Sequence, residues 1–302
     1  MSYIQRVKKF LEKSSDKNKL IVIYGPTGAG KTQMSIDIAK YLDTEIISTD
    51  SRQIFKYMDI GTGKITAEEM QWVRHHMLDI ITPDQDFSTW EFVRQSSSIM
   101  QRLFEKNKIP MLVWGTGLYI DSLIFERNAA NVSSDPELSN QSDRLTNEEL
   151  YQKLVDIDPE YAQELHPNNR PYVERGIEVM KLTWKSKREF RAEKKLLYDV
   201  LFLSPECPSK VEYREWLYDR INRRVVMMFD QWAEEEVREL LEKWYKQDDF
   251  GMNSIGYREF FPYFSWEISR DELITQIQQN SRNYAKRQLT WFRKYQKFKD
   301  IN

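Results

Sequence analysis

The 302-residue chain is 40% hydrophobic and 30% charged, with 9 Trp, 16 Tyr and 15 Phe, which excludes a disordered chain and supplies a sizeable core for one large or two unequal domains. Its formal net charge is −2, so no basic total announces a nucleic-acid partner, and an RNA reading must rest on local charge. Cys207 is the single cysteine, which excludes an intrachain disulfide, a CxxC redox pair and a cysteine-rich zinc site, and agrees with a reducing compartment.

Ile4, Val7, Phe10 and Leu11 make a basic amphipathic stripe at the N-terminus. A short helix packed on the domain is favoured over a targeting or membrane-surface helix. The longest apolar runs are strand-sized, far below a membrane span, and the expected compartment is the cytoplasm. Leu20 to Tyr24 is a continuous apolar run closed by Gly25 and Pro26, which predicts a buried strand of a parallel sheet. Thr32 to Tyr41 carries Met34, Ile38 and Tyr41 at helical spacing. Further predicted elements are a strand over Glu45 to Ile47, a helix over Phe87 to Phe104, and strands over Ile109 to Trp114 and Val200 to Leu203. Strands alternating with helices, each strand closed by a polar turn, predict a doubly wound α/β domain with its ligands at the carboxyl ends of the strands. Between about Arg127 and Lys195 strand signals vanish and helical periodicity takes over, with Leu150, Leu154 and Ile157, then Val173, Ile177 and Met180. This predicts a helical insertion, dividing the chain into 1–126 with 196–302, and 127–195. After Lys210 the chain reads as helical almost throughout. Arg282 to Lys299 holds seven basic residues (Arg282, Lys286, Arg287, Arg293, Lys294, Lys297, Lys299) and no acid before Asp300.

Gly25-Pro26-Thr27-Gly28-Ala29-Gly30-Lys31-Thr32 completes the pattern GxxxxGK[ST] between a predicted strand and a predicted helix. Glycines let backbone N–H groups turn toward phosphate oxygens, and the helix start adds a favourable dipole. Lys31 would neutralise charge and Thr32 would offer a hydroxyl to Mg²⁺. The loop identifies phosphate and leaves the reaction open. An NTPase would want an apolar strand ending in a Mg²⁺-holding Asp, and EIISTD is a poor one; a nucleoside kinase remains open on the motif alone.

Asp50 follows the second strand and should lie beside the loop. A carboxylate facing a polyphosphate is unfavourable unless a metal or a proton-donating substrate sits between them. Asp50 therefore reads either as a general base or amine acceptor, or as the cap of a following helix. Gly115-Thr116-Gly117 closes the third strand in the same crevice, where small residues allow close approach to a ligand. Gly61-Thr62-Gly63-Lys64 is a weak signal alone. His75-His76 is unsuited to a two-histidine metal site, since adjacent side chains point apart.

Taken together, GPTGAGKT from Gly25, ISTDSRQIFKYMDIGTGK ending at Lys64, HHMLDI from His75, IPMLVWGTGLY ending at Tyr119, SSDPEL from Ser133, HPNN from His166, SIGYREF from Ser254 and AKRQLTWFRK from Ala285 resemble the bacterial tRNA dimethylallyltransferase (tRNA isopentenyltransferase) family. They stand in the family's order over nearly the whole chain. The resemblance implies a P-loop kinase-like α/β domain with an inserted all-helical tRNA-binding domain. It implies transfer of dimethylallyl from dimethylallyl pyrophosphate to N6 of the adenine just 3′ of the anticodon, with Mg²⁺. Residues 25–32, with Arg220 and Arg224, would hold the pyrophosphate. Asp50 would accept from N6, and Thr116 would place adenine and donor. Asp50, Ser51, Arg52 and Gln53, then Arg175, then Asn253, Ser254, Ile255, Gly256, Tyr257 and Arg258, then Lys286, Arg287, Gln288, Thr290, Trp291 and Arg293 match segments that touch the anticodon stem-loop. The family is usually monomeric, with no obligate protein partner and no membrane association. The basic aromatic C-terminus suits phosphate contact and stacking, or forms a terminal helix with a solvated basic face.

The chain departs from the family at Trp114, where a glycine is usual, at Pro171 and Tyr172, where polar or basic residues are common, at Ser139, where an Arg is common, and at Arg74, which replaces a proline. An adenylate prenyltransferase would share the P-loop and Asp50 but needs no anticodon-arm grip. A non-catalytic RNA binder would not need Lys31, Thr32 and Asp50 intact.

Overall fold

Leu20, Ile21, Val22 and Ile23 are wholly inaccessible to solvent, each contributing roughly 1.5–3 kcal/mol by burial. They form β1 (Lys19–Ile23), paired in parallel with β4 (Met111–Val113) on one side and β5 (Asp199–Leu203) on the other. The computed structural model describes residues 2–126, 142, 144–189, 195–205 and 212–298. The segment opening at Ser133, Ser139, Cys207 and Lys299 lie outside the described residues, as do Arg127 and the residues after it up to Gln141.

The sheet is five-stranded and parallel, in the order β3-β2-β4-β1-β5, with β2 at Ile46–Ser48 and β3 at His75–His76. Helices α1 (Tyr3–Glu12), α2 (Lys31–Leu42), α3 (Ala67–Met70), α4 (Thr89–Glu105) and α5 (Gly117–Ile124) alternate with the strands. This is the α/β architecture expected. The N-terminal stripe resolves as the packed helix: Val7 and Phe10 of α1 are buried in the same core as Ile21, Ile36 and Val113. The paired histidines, which carry no strand signal, form the edge strand. His76 Nε2 sits 2.5 Å from Glu45 Oε2, and His75 Nδ1 sits 2.9 Å from the Val73 carbonyl. Two different partners occupy the two rings, as expected for side chains pointing apart. No helix among the described residues is long and apolar enough to cross a membrane.

The chain divides into two compact units, Met1–Ile124 with Tyr198–Asn302, and Phe125–Leu197. The second unit contains α6 (Asn147–Ile157), α7 (Pro159–Ala162) and α8 (Arg170–Thr183). Its core joins Leu150, Leu154, Tyr161, Ala162, Val173 and Ile177. Thr146 opens α6 with a capping box closed by Glu149, which satisfies two otherwise unpaired amides. Pro171 lies in the first turn of α8, where its missing N–H costs nothing. Phe125 and Leu196 bridge as an antiparallel pair where the chain enters and leaves this unit.

In the first unit the chain continues after β5 as α9 (Tyr213–Asp230), α10 (Ala233–Glu242), α11 (Phe260–Phe264) and α12 (Arg270–Phe292), which runs into a 3₁₀ turn over Arg293–Phe298. That turn is anchored by Tyr295, whose hydroxyl donates to Asp121 Oδ1 at 2.7 Å, and by the Lys294–Asp121 ion pair. α12 is thereby fastened to α5 at the carboxyl edge of the sheet.

Candidate active site

In parallel strands all carboxyl ends share one edge. β1 therefore delivers residues 25–32, β2 delivers Thr49 to Gln53, and β4 delivers Trp114 to Gly117 to one crevice. Gly28 and Gly30 adopt φ of +78° and +86°, a region in which a side chain is disfavoured. Gly30 hands the loop to the first turn of α2. Helix α9 closes over the loop. Arg220 Nε donates to the Gly28 carbonyl at 2.7 Å, and Arg224 donates to Thr27 Oγ1 at 3.0 Å and to the Gly63 carbonyl at 3.3 Å. A Cβ on Gly63 would lie 1.4 Å from the Arg224 guanidinium, so the glycine makes room for that arginine.

Lys31 is buried, and its ammonium donates to the Pro26 carbonyl at 2.7 Å. Burial, then repulsion from Arg224, pushes it down to about 7, with Asp50 pulling the other way. Burial also lowers Arg224, against the attraction of Asp50 and Glu69. A buried cation and a half-buried one thus share a crevice with too little negative charge, and an anionic ligand would relieve both.

Asp50 does two things. Its Oδ1 accepts from the amides of Arg52 at 2.8 Å and Gln53 at 3.4 Å, which fixes the turn after β2. Its Oδ2 has no hydrogen-bond partner among the described residues. The carboxylate is therefore oriented by one oxygen and has the other to offer. Thr116 joins the two strand ends: its amide donates to Thr49 O at 3.0 Å, its Oγ1 accepts from the Ser51 amide at 3.0 Å, and it lies 3.2 Å from Ser51 Oγ. Arg52 donates to the Phe250 carbonyl at 3.1 Å, with its guanidinium 5.1 Å from the Phe250 ring centroid.

The residues expected to contact RNA separate into exposed and buried sets. Lys286, Arg287, Thr290, Trp291 and Arg293 are exposed along one end of α12 and the following turn, and Asn253 and Arg258 are exposed in their segment. Ser254, Gly256 and Tyr257 are buried, and Ile255 is partly so. Tyr257 donates to Glu236 Oε1 at 2.6 Å and packs where a Cβ on Gly61 would come within 2.5 Å of its ring. Their side chains shape the segment from within. Gln53 is buried too, its Nε2 donating to the Gly63 carbonyl at 3.2 Å. Arg175 belongs to the second unit, on α8, and pairs with Glu178 at 2.8 Å.

Gln288 is placed apart from the exposed set. It is buried: its Oε1 accepts from the Thr27 amide at 2.9 Å, and its Nε2 donates to the Gly115 carbonyl at 3.0 Å. It ties the phosphate loop to the end of β4. The reason for glycine at 115 and 117 changes with it. Cβ atoms there would lie 2.2 Å from Gln288 Nε2 and 2.2 Å from Trp291 Cδ1, so these glycines admit α12. Two tyrosines outside the expected site residues join the site. Tyr284 on α12 lies near Thr116 and feels the charge of Asp50; burial, then that charge, raises its hydroxyl well above the ordinary range. Tyr119, stacked on Phe92 with ring centroids 3.9 Å apart, is pushed up to about 12 by burial, with Arg52 and Asp50 as opposing smaller influences. For Tyr284 a signal is present in the sequence: Tyr284, Gln288 and Trp291 are spaced i, i+4, i+7 on one helix face.

Among the described residues no group of three or more His, Cys, Asp or Glu is arranged to hold a metal ion. The half-buried Thr32 hydroxyl, in the first turn of α2 beside the loop, suits a Mg²⁺ that takes most of its oxygens from water and a bound polyphosphate.

Residues 53–295 match a family model described as IPP transferase, and residues 18–85 match one described as isopentenyl transferase. The tRNA dimethylallyltransferase of Thermoanaerobacter sp. is 38% identical over 281 residues, spanning 92% of this chain and 89% of the relative. A solved tRNA delta(2)-isopentenylpyrophosphate transferase from Staphylococcus epidermidis superposes with a TM-score of 0.65 at 38% identity, covering 91% of this chain and 90% of that one. A eukaryotic dimethylallyltransferase solved acting on tRNA superposes with a TM-score of 0.78 at 28% identity, covering 91% of this chain and 70% of that one.

Proposed function

Because the chain belongs to the IPP transferase family, we propose that it transfers a dimethylallyl group from dimethylallyl pyrophosphate to N6 of the adenine 3′-adjacent to the anticodon of tRNA. The observation that carries this reading is the meeting of one half-satisfied carboxylate, Asp50, with a phosphate loop backed by Lys31 and Arg224. Residues 25–32 bind the diphosphate, and Lys31, Arg220 and Arg224 stabilise it as it leaves and gathers charge. N6 attacks the allylic carbon, the carbon–oxygen bond to the diphosphate breaks, and the N6 proton passes to Asp50 Oδ2. Thr116, held by Ser51, positions the acceptor. Orientation matters because the adenine amine is a weak nucleophile. Mg²⁺ would be held by Thr32 and would supply neutralising charge at the diphosphate. The target base must leave its stack to reach this crevice, which suits a single-stranded loop. The reading extends to a cytoplasmic monomer with no obligate protein partner.

Incubation of the pure protein with labelled dimethylallyl pyrophosphate and Mg²⁺, offering unmodified tRNA or AMP and following ATP hydrolysis separately, tests it. Label is expected in tRNA. Label in AMP alone would point to a free-nucleotide prenyltransferase, and ATP turnover without prenyl transfer would exclude both.

Two variants probe the supporting residues. Tyr284→Phe removes the hydroxyl beside Thr116 and Asp50. It is expected to slow single-turnover transfer about tenfold, the worth of one hydrogen bond of ~1.4 kcal/mol, with the tRNA dissociation constant unchanged. Lys286→Ala combined with Arg287→Ala removes two exposed charges from α12. Filter binding across a salt series is expected to show weaker tRNA binding and a log–log salt slope shallower by roughly 0.7–0.9 for each phosphate that the two cations neutralise; an unchanged slope would remove these residues from the RNA interface.

A further inference from the structure

Six of the nine tryptophans, Trp72, Trp114, Trp184, Trp232, Trp244 and Trp266, stand in left-handed backbone, at φ of +71°, +89°, +58°, +70°, +69° and +62°. In this region Cβ crowds the following carbonyl, and a bulky side chain there is an outlier. The other non-glycine residues at positive φ are Asp43, Tyr57, Gln71, Met77, Asp79 and Asn107, half of them the Asp and Asn that tolerate it. Tryptophan thus supplies half of a class to which its numbers and its shape should contribute almost nothing.

Five of the positions share a structural job. Trp72, Trp232, Trp244 and Trp266 each follow the C-cap residue of a helix, after α3, α9, α10 and α11, and Trp184 is the C-cap of α8. After α10, the Trp244 amide donates to Leu241 O at 3.0 Å and the Tyr245 amide to Leu240 O at 3.2 Å. After α11, the Trp266 amide donates to Tyr263 O at 3.1 Å and the Glu267 amide to Pro262 O at 2.9 Å. These paired bonds define the helix ending whose left-handed residue is ordinarily glycine. The five indoles meanwhile do nothing visible. Their exposures run from 68% at Trp232 to 102% at Trp72, and none makes a ring, cation–π or side-chain hydrogen-bond contact among the described residues. A stacking surface for RNA would need exposed rings but would have no use for left-handed backbone.

The three remaining tryptophans behave oppositely. Trp90, Trp216 and Trp291 lie inside α4, α9 and α12. Each meets a cation, Arg94 at 5.9 Å, Arg220 at 5.0 Å and Lys294 at 4.1 Å from the ring centroid. Composition points the same way: 10 glycines in 302 residues is about half the usual share of roughly 7%.

We infer that the natural protein carries glycine at positions 72, 114, 184, 232, 244 and 266, and tryptophan only at 90, 216 and 291. The source of the difference is one codon. UGA is read as stop, tryptophan or glycine by different translation systems, whereas UGG is read as tryptophan. If the cell that makes this protein reads UGA as glycine, one reassignment accounts for all six positions and spares the other three. Position 114 carries the consequence for the active site. It precedes Gly115 and Thr116, its ring fills space against His75 at 5.5 Å, and glycine there removes a buried indole from the core next to the strand end that carries Thr116.

Peptide mass mapping of the protein purified from its natural source tests this directly. Glycine is expected at all six positions and tryptophan at 90, 216 and 291; tryptophan at the six would overturn the inference. The coding DNA gives a second reading: TGA is expected at the six and TGG at the three, and a mixture unrelated to backbone conformation would overturn it. A third arm tests the backbone argument alone. Two recombinant chains are compared by urea unfolding, one with tryptophan at all nine positions and one combining Trp72→Gly, Trp184→Gly, Trp232→Gly, Trp244→Gly and Trp266→Gly. The second is expected to unfold at a higher midpoint, and Trp216→Gly at a lower one than the parent. A glycine chain of equal or lower midpoint would overturn the assignment of these positions to glycine. None of these outcomes depends on the proposed reaction.

Discussion

Replacing Asp50 with alanine is expected to slow prenyl transfer by roughly two to four orders of magnitude, the range for a lost general base, while tRNA still binds. Two jobs are proposed for Asp50, and a second substitution separates them. Oδ1 holds the turn through the Arg52 and Gln53 amides, and Oδ2 is the oxygen left for the substrate. Asp50→Asn keeps an acceptor for those amides and removes the base. If proton acceptance is the role, Asp50→Asn and Asp50→Ala lose transfer to a similar extent in single-turnover assays at saturating tRNA. If Asp50 only shapes the turn, Asp50→Asn retains near-normal transfer and Asp50→Ala alone fails. Gel-shift measurement on both variants completes the test, since a binding defect large enough to account for the lost rate would place Asp50 in RNA binding and not in the chemistry.

What is legible in the sequence depends on how local its cause is. β1 and α2 follow from a continuous apolar run and a glycine pattern, and their observed bounds differ from the expected ones by only a residue or so. β3 is not legible. It is two histidines long and partly exposed, and its pairing with β2 is a property of the sheet and not of its own residues. The same division runs through the site. Lys31, Thr32, Asp50 and Thr116 sit in motifs whose spacing states their place. The composition of the C-terminal helix announces a basic aromatic face, and its exposed cations agree with that. Composition does not report helix phase, however, so it cannot separate Gln288 and Tyr284, which turn inward to Thr27, Gly115 and Thr116, from the exposed set. Gly115 and Gly117 show the same limit. Glycine announces a close approach, and only the fold says that the approaching body is α12.

Lys31→Met is expected to abolish function and stabilise the ligand-free protein together. Lys31 is buried beside Arg224, with Asp50 the nearby opposite charge, so the empty crevice holds like charges in a poorly solvated place. An apolar side chain of similar length removes that repulsion. The Pro26 carbonyl, which would lose the Lys31 donor, keeps the Ala29 amide at 3.3 Å. A gain of about 1 kcal/mol in ligand-free stability is expected, as when function-bearing strain is relieved. The loss is at the diphosphate. Without the ammonium the leaving group's charge is met by the loop amides and arginines alone, and transfer is expected to fall at least a hundredfold. Urea unfolding with and without inorganic pyrophosphate and Mg²⁺ measures both sides at once. A ligand at a hundred times its dissociation constant stabilises the native state by about 2.7 kcal/mol. The parent chain should show a rise of that order, and Lys31→Met should begin higher and respond weakly. A variant that starts lower than the parent and is stabilised equally by pyrophosphate would mean that Lys31 holds the loop together and not its ligand.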